Sequence, residues 1–413
     1  MRLEIPYGRE GKQEVEIPDR NLAGVIYPNE VESGETMQEI RRGIEEPIDS
    51  PSLQEFLRGQ GSLVFIINDG TRPTPTAKVM EALSTMMNLS FPRYLVATGA
   101  HREPTEEEYL FVLGGLREQL RPRVHPHDCR KDRTVYLGKS KNGTEMWINE
   151  MAVDADRLVI ITSVEPHYFA GYTGGRKSIL PGVAAFKTIE QNHRLAMRPQ
   201  AQSLALEGNP VHEDMMEALE HFRDRPIFSI QVVMDRYHNV YRVASGDLVS
   251  AFHQAVEWAN EVFSVGIEEK VDAVISVAPY PMDVDLYQSQ KAIDNAKWAL
   301  KEGGRVILVS KCREGVGPDT FLRQLSQSDD PREVLENLSK EYRLGYHKAA
   351  KMAEVAVQAD LCAVTGLEGE LLEKANIHSH DSLQQAVDSV LEWKEDARIL
   401  VLMDGSVTVP RVD

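Results

Sequence analysis

The chain has 413 residues, 42% of them hydrophobic, with 46 Lys and Arg against 64 Asp and Glu, a formal net charge of −18. That length accommodates about two domains with full-sized cores, and the acidic balance argues against a nucleic-acid or anionic-membrane surface. Three scattered cysteines (Cys129, Cys312, Cys362) fit a reducing compartment and exclude a cysteine-rich metal site. The start, Met1-Arg-Leu-Glu-Ile-Pro6, lacks the parts of a signal peptide, and no apolar run approaches the roughly 18–20 residues of a membrane helix. A cytoplasmic protein is expected.

Residues 2–6 and 13–18 alternate apolar and polar side chains around Tyr7-Gly8 and Gly11, which predicts a β-hairpin at the edge of the first domain. Helical segments follow at 37–42 and 52–58. Residues 62–68 are apolar on both faces, as a central parallel strand should be. They run into Asp69-Gly-Thr-Arg-Pro-Thr-Pro75, and open α/β sheets place their sites at such carboxyl ends. A local ion pair between Asp69 and Arg72 and a ligand role are both open here. The prolines stiffen the loop before a helix over 76–87.

A second unit repeats the pattern: strand 94–98, then Gly99-Ala-His101-Arg102, then a helix opened by acidic residues at 106–108. His101 is either a structural hydrogen-bonder or a functional group. Short strands are expected at 124–128, 134–137 and 144–149. His125/His127 and His378/His380 have a spacing that suits a metal on a strand. No third ligand stands near either pair, so both read as structural.

The buried strand 157–162 precedes the richest stretch, His167-Tyr-Phe-Ala-Gly-Tyr-Thr-Gly-Gly-Arg-Lys-Ser-Ile-Leu-Pro-Gly182, which continues to Asn192-His193. It offers a base (His167), a glycine-rich loop (Gly171, Gly174, Gly175), an amine (Lys177) and a metal-type ligand (His193). The loop fails the P-loop template, because Arg176 stands where a glycine is required. An anion cradle and a plain tight turn both remain open. Helices at 187–197, 214–223 and 249–262 and a strand at 228–234 complete this half. From Glu268 the alternation restarts, with strands at 271–277, 304–310, 360–365 and 398–403 and a helix running to Leu300. The expected class is α/β: an N-terminal domain over 1–262, a smaller C-terminal domain over 263–413, and a cleft between them. Gln288 and Lys291 share one helix face, on their own an ordinary solvated one.

Neither a serine nucleophile elbow nor a His-Glu-x-x-His helix occurs. Gly315-Val-Gly317 stops short of a dinucleotide fingerprint. Two histidines on separate loops suggest a two-base reaction on opposite faces of a planar intermediate. The rival is a non-catalytic carboxylate-binding protein.

Asn68-Asp-Gly-Thr-Arg-Pro-Thr-Pro75, Thr98-Gly-Ala-His-Arg102, the 167–182 stretch with Asn192-His193, and Tyr287-Gln-Ser-Gln-Lys291 closely resemble the lactate racemase family, in order and across nearly the whole chain. The resemblance implies a nickel-pincer nucleotide joined to Lys177 through a thioamide, with His193 completing the nickel coordination. It implies His101 and His167 as paired acid/bases, and Asp69, Thr71, Gly174 and Gly175 as the cofactor's seat. It implies that Arg72, Tyr287, Gln288 and Lys291 hold a small 2-hydroxy acid, lactate by default, with C2 epimerisation of a polyhydroxy (sugar) acid as the alternative. Taking the α-hydrogen as hydride, through a 2-keto acid, avoids a carbanion beside a carboxylate. Cofactor-building enzymes are the implied partners.

Overall fold

The computed structural model describes residues 1–412 and divides into two compact units, Glu30–Val262 and a second made of Met1–Asn29 with Phe263–Asp413. Each is built on a six-stranded sheet. In the first unit, Leu63–Asn68 is buried at every position and pairs in parallel with Arg93–Ala97 on one side and Arg157–Ser163 on the other. Beyond these lie Val124–Pro126 at one edge and Ile227–Met234 on the other side, all parallel, with Val240–Gly246 as an antiparallel edge. The chain adds strands outward on one side of Leu63–Asn68 and then returns to the other. That leaves a switch point beside the central strand, where such sheets form their crevices.

The second sheet winds the same way. Val271–Val277 is followed outward by Leu300–Val309, Asp360–Val364 and His378–Ser379, and Ile399–Leu402 returns to its other side. The last place is taken by Leu22–Ile26, paired in parallel with Ile399–Leu402. The N-terminal hairpin, Arg2–Tyr7 with Gly11–Glu16, buries Ile5 and Val15 in the same core as Ile307 and Val387. The first 29 residues therefore group with the C-terminal residues, not with the first domain as chain order suggests. The reason is backbone pairing at 22–26, a segment whose sequence alternates too weakly to announce a strand.

Local signals account for most boundaries. Thr105 and Glu108 form a capping box at the helix Glu106–Leu113, and Asn209 with Pro210 opens Pro210–Glu220, four residues before the start expected from periodicity. The helix expected to reach Leu300 ends at Ala296, and a short 3₁₀ turn leads into Leu300–Val309. Among the described residues, no helix is long and apolar enough to cross a membrane.

Candidate active site

Three neighbouring parallel strands, Arg157–Ser163, Leu63–Asn68 and Arg93–Ala97, end on one edge of the first sheet. His167, Asp69 and His101 follow those ends, so the topology delivers them to the same side. Asp69 is 4% exposed, and its Oδ2 lies 2.7 Å from His101 Nδ1. Its Oδ1 accepts from the Thr71 hydroxyl at 2.7 Å and the Thr71 N–H at 3.2 Å. Burial pushes this carboxyl up. The hydrogen bonds from His101 and Thr71, with the charges of His101 and Arg72, outweigh burial and hold it below the usual carboxylate range. Asp69 is therefore an ionised acceptor that orients the His101 ring, a partner that the sequence reading, which left an ion pair with Arg72 and a ligand role open, did not foresee.

The glycine-rich loop is set by Arg176, whose role the sequence reading missed because it marked only a departure from the P-loop template. Arg176 is fully buried, and its guanidinium donates to Ala170 O (2.8 Å), Tyr172 O (3.0 Å), Thr173 O (2.9 Å), Gly174 O (3.4 Å) and His212 Nδ1 (3.0 Å). Those contacts use the whole donor fork on neutral acceptors. The Phe252 ring lies 4.2 Å from the guanidinium carbon. Burial brings His212 down to about 3, with the Arg176 charge acting the same way, so His212 is a neutral acceptor. Gly174 must be glycine: its φ is +92°, and a Cβ would stand 2.5 Å from the Val164 side chain. Lys177 then sits in the turn Gly175–Ser178, its carbonyl accepting from Gly182 N–H, while Gly182 O accepts from Gly99 N–H at 2.9 Å. That pair of bonds ties the lysine loop to the loop carrying His101.

The Phe169 ring gathers the remaining groups. Its centroid is 4.5 Å from that of His167, 5.0 Å from that of His193 and 5.5 Å from Lys177 Nζ. His193 comes from the helix Phe186–Arg194. Burial, reinforced by the charges of Lys177 and His101, brings its imidazole down to about 3, so it offers a nitrogen lone pair at neutral pH.

The nucleotide implied by the motifs fits these residues. A neutral imidazole is the form that binds a divalent metal. Among the described residues, no group of three or more His, Cys, Asp or Glu is placed to hold a metal ion. Gln231 is fully buried, and its Oε1, which has no hydrogen-bond partner, lies against Gly174 and Gly175 beneath the loop. His125 and His127 are structural as expected: both face Asp132, and His127 Nε2 is 2.9 Å from Ala184 O.

Tyr287, Gln288 and Lys291 belong to the other unit, on the helix Leu286–Ala296 after the carboxyl end of Val271–Val277. Asp285 caps that helix through Gln288 N–H at 2.6 Å. A second residue missed from sequence lies here. Lys348 is 6% exposed; its ammonium donates to Tyr287 O at 2.7 Å and to Gln288 Oε1 at 3.4 Å, and stands 3.8 Å from the Tyr287 ring centre. Lys348 lies in the helix Tyr346–Gln358, sixty residues along the chain. No local pattern links it to Gln288.

The lactate racemase N-terminal domain model matches residues 7–204, and the lactate racemase C-terminal domain model matches residues 267–409. The chain is 32% identical over 348 residues to a lactate racemase of Thermoanaerobacterium thermosaccharolyticum, covering 81% of this chain and 80% of that one. It is 30% identical over 426 residues to a lactate racemase of Lactiplantibacillus plantarum, covering 98% of each. The solved structure of the lactate racemase apoprotein from T. thermosaccharolyticum superposes with a TM-score of 0.92 at 30% identity, covering all of both chains. A Thermotoga maritima protein shares the fold at a TM-score of 0.68 and 16% identity, covering 93% of this chain and all of that one.

Proposed function

The chain belongs to the lactate racemase family, a family of isomerases, and on that premise we propose that it interconverts the enantiomers of a 2-hydroxy acid, lactate by default, with a nickel-pincer nucleotide held at Lys177 and His193. The observation that carries the proposal is the convergence of His101, His167, Lys177 and His193 on one edge of one sheet, with Asp69 fixing His101 and Phe169 packed against the other three. When bound, the nucleotide supplies a reversible acceptor for the α-hydrogen as hydride, so that the substrate passes through a 2-keto acid.

The protein's own part is to hold and to move protons. Arg72 offers the substrate carboxylate a bidentate fork, and the family motif around Lys291 gives that residue, a point charge, a substrate role as well. Gln288 adds an amide whose Oε1 faces Lys348, which turns its N–H groups toward an acceptor oxygen. His101 takes the hydroxyl proton, and Asp69 stabilises the imidazolium that forms. His167 serves the other face. Fixed positions for these groups convert an encounter in water into a step within one assembly.

The test is to mature the chain with the cofactor-building enzymes and offer single-enantiomer 2-hydroxy acids, lactate first and sugar acids in the same panel. Optical activity decaying to the racemic value, with about one nickel per active chain, is the expected result for lactate. Nickel-loaded protein that leaves every member of the panel optically unchanged would overturn the reading.

A further inference from the structure

His101 and His167 are held by different kinds of partner. A backbone N–H can only donate, so Nδ1 of His167, 3.3 Å from Ala170 N, must accept. An ionised carboxylate can only accept, so Nδ1 of His101, 2.7 Å from Asp69 Oδ2, must donate. The Thr71 hydroxyl, 3.5 Å from the same Nδ1, does not compete, because it donates to Asp69 Oδ1. A neutral imidazole carries its proton on one nitrogen and a lone pair on the other.

We infer that the two histidines rest in opposite tautomers, His101 presenting a bare Nε2 and His167 presenting Nε2–H. Packing fixes the plane of the second ring. Tyr168 stacks on it at 5.0 Å with planes 23° apart, and Phe169 meets it edge-on at 4.5 Å.

The inference has a consequence for direction, which rests on the racemase reading although the tautomers do not. A substrate hydroxyl finds a proton acceptor at His101 alone. Its proton passes to Nε2, and the resulting imidazolium faces the Asp69 carboxylate. An oxygen placed at His167 meets a donor instead. The resting enzyme is therefore primed for the enantiomer whose hydroxyl meets His101. The opposite enantiomer reacts only after His167 has carried its proton on Nδ1, against the Ala170 N–H.

The tautomers can be read without cofactor. The full chain, ¹⁵N-labelled at histidine, gives two-bond proton–nitrogen correlations at about pH 8.5, above the ordinary histidine pKa of about 6.5. His101→Gln and His167→Gln identify the two rings. The expected pattern is a protonated Nδ1 with a bare Nε2 for His101, and the reverse for His167. The same pattern in both rings, or either ring protonated on both nitrogens, overturns the inference. Asp69→Ala should move the His101 pattern toward Nε2–H and leave that of His167 alone; a His101 pattern that stays put also overturns it. Because racemase activity is not the readout, nickel-loaded protein that leaves the hydroxy-acid panel unchanged would sink the proposed function, while the two patterns in the cofactor-free chain would leave the tautomers standing.

Discussion

The two sheets are wound alike, yet their functional edges are made differently. On the first, the backbone itself is held: Arg176 takes four carbonyls of one loop, and Gly99 and Gly182 join two loops by main-chain bonds. On the second, the groups proposed to meet substrate are long side chains on a regular helix, with Gln288 Oε1 facing Lys348. On the proposed reading, a lysine bonded to one atom of a cofactor and a histidine bound to a metal tolerate little displacement. A carboxylate can be met by groups with reach. The contrast is between anchoring and grasping.

The largest expected effect tests the anchor. Lys177→Ala should abolish the mass added to the tryptic peptide of the matured chain, and with it nearly all racemisation. Full activity with an unmodified Lys177 would show that the cofactor is held without a bond. Arg176→Met comes next. It orphans several buried carbonyls at roughly 1–3 kcal/mol each, so thermal or denaturant unfolding should show a loss of at least about 3 kcal/mol. A melting curve matching that of the parent would mean that the loop needs no clamp.

On the grasping side, Lys291→Ala should cost about 1.5–3 kcal/mol of transition-state binding, roughly ten- to a hundredfold in kcat/KM, with nickel content unchanged. Loss of nickel instead would erase the distinction between the two edges. The smallest effect concerns acid. Asp69 has a folded pKa below its ordinary value, so its contribution is fully present above about pH 4 and is lost as pH falls through the folded value. The stability gap between parent and Asp69→Asn should be about 1–2 kcal/mol near neutrality and close as the solution is acidified. A gap that widens in acid would reverse the assigned sign.

The sequence makes one class of feature legible and hides another. The strands at 62–68, 94–98 and 157–162 announce themselves as apolar runs, and the residues after them are where parallel sheets put function, so His101, Asp69 and His167 could be found by position. Lys177 and His193 lie in one local stretch with His167. What escapes is partnership over distance. Nothing near Arg176 tells that its donors fold back onto its own loop, because the signal is burial of a charge, which composition does not show. Lys348 stands sixty residues from Gln288 and joins it only when two helices pack. The strand Leu22–Ile26 fails to announce itself for a related reason: its character comes from Ile399–Leu402, a partner at the far end of the chain.

That last pairing sets an order of events during synthesis. The strand Leu22–Ile26 is among the first segments made, but its place in the sheet exists only once residue 402 has left the ribosome, roughly twenty seconds to over a minute later at ~5–20 residues per second. The unit Glu30–Val262 is continuous and can close in the meantime. A nascent chain can thus complete the sheet that carries His101 and Lys177 while the hairpin and its following strand still wait for theirs. A cut or fusion near residue 20 would be felt in the half of the protein that carries Gln288.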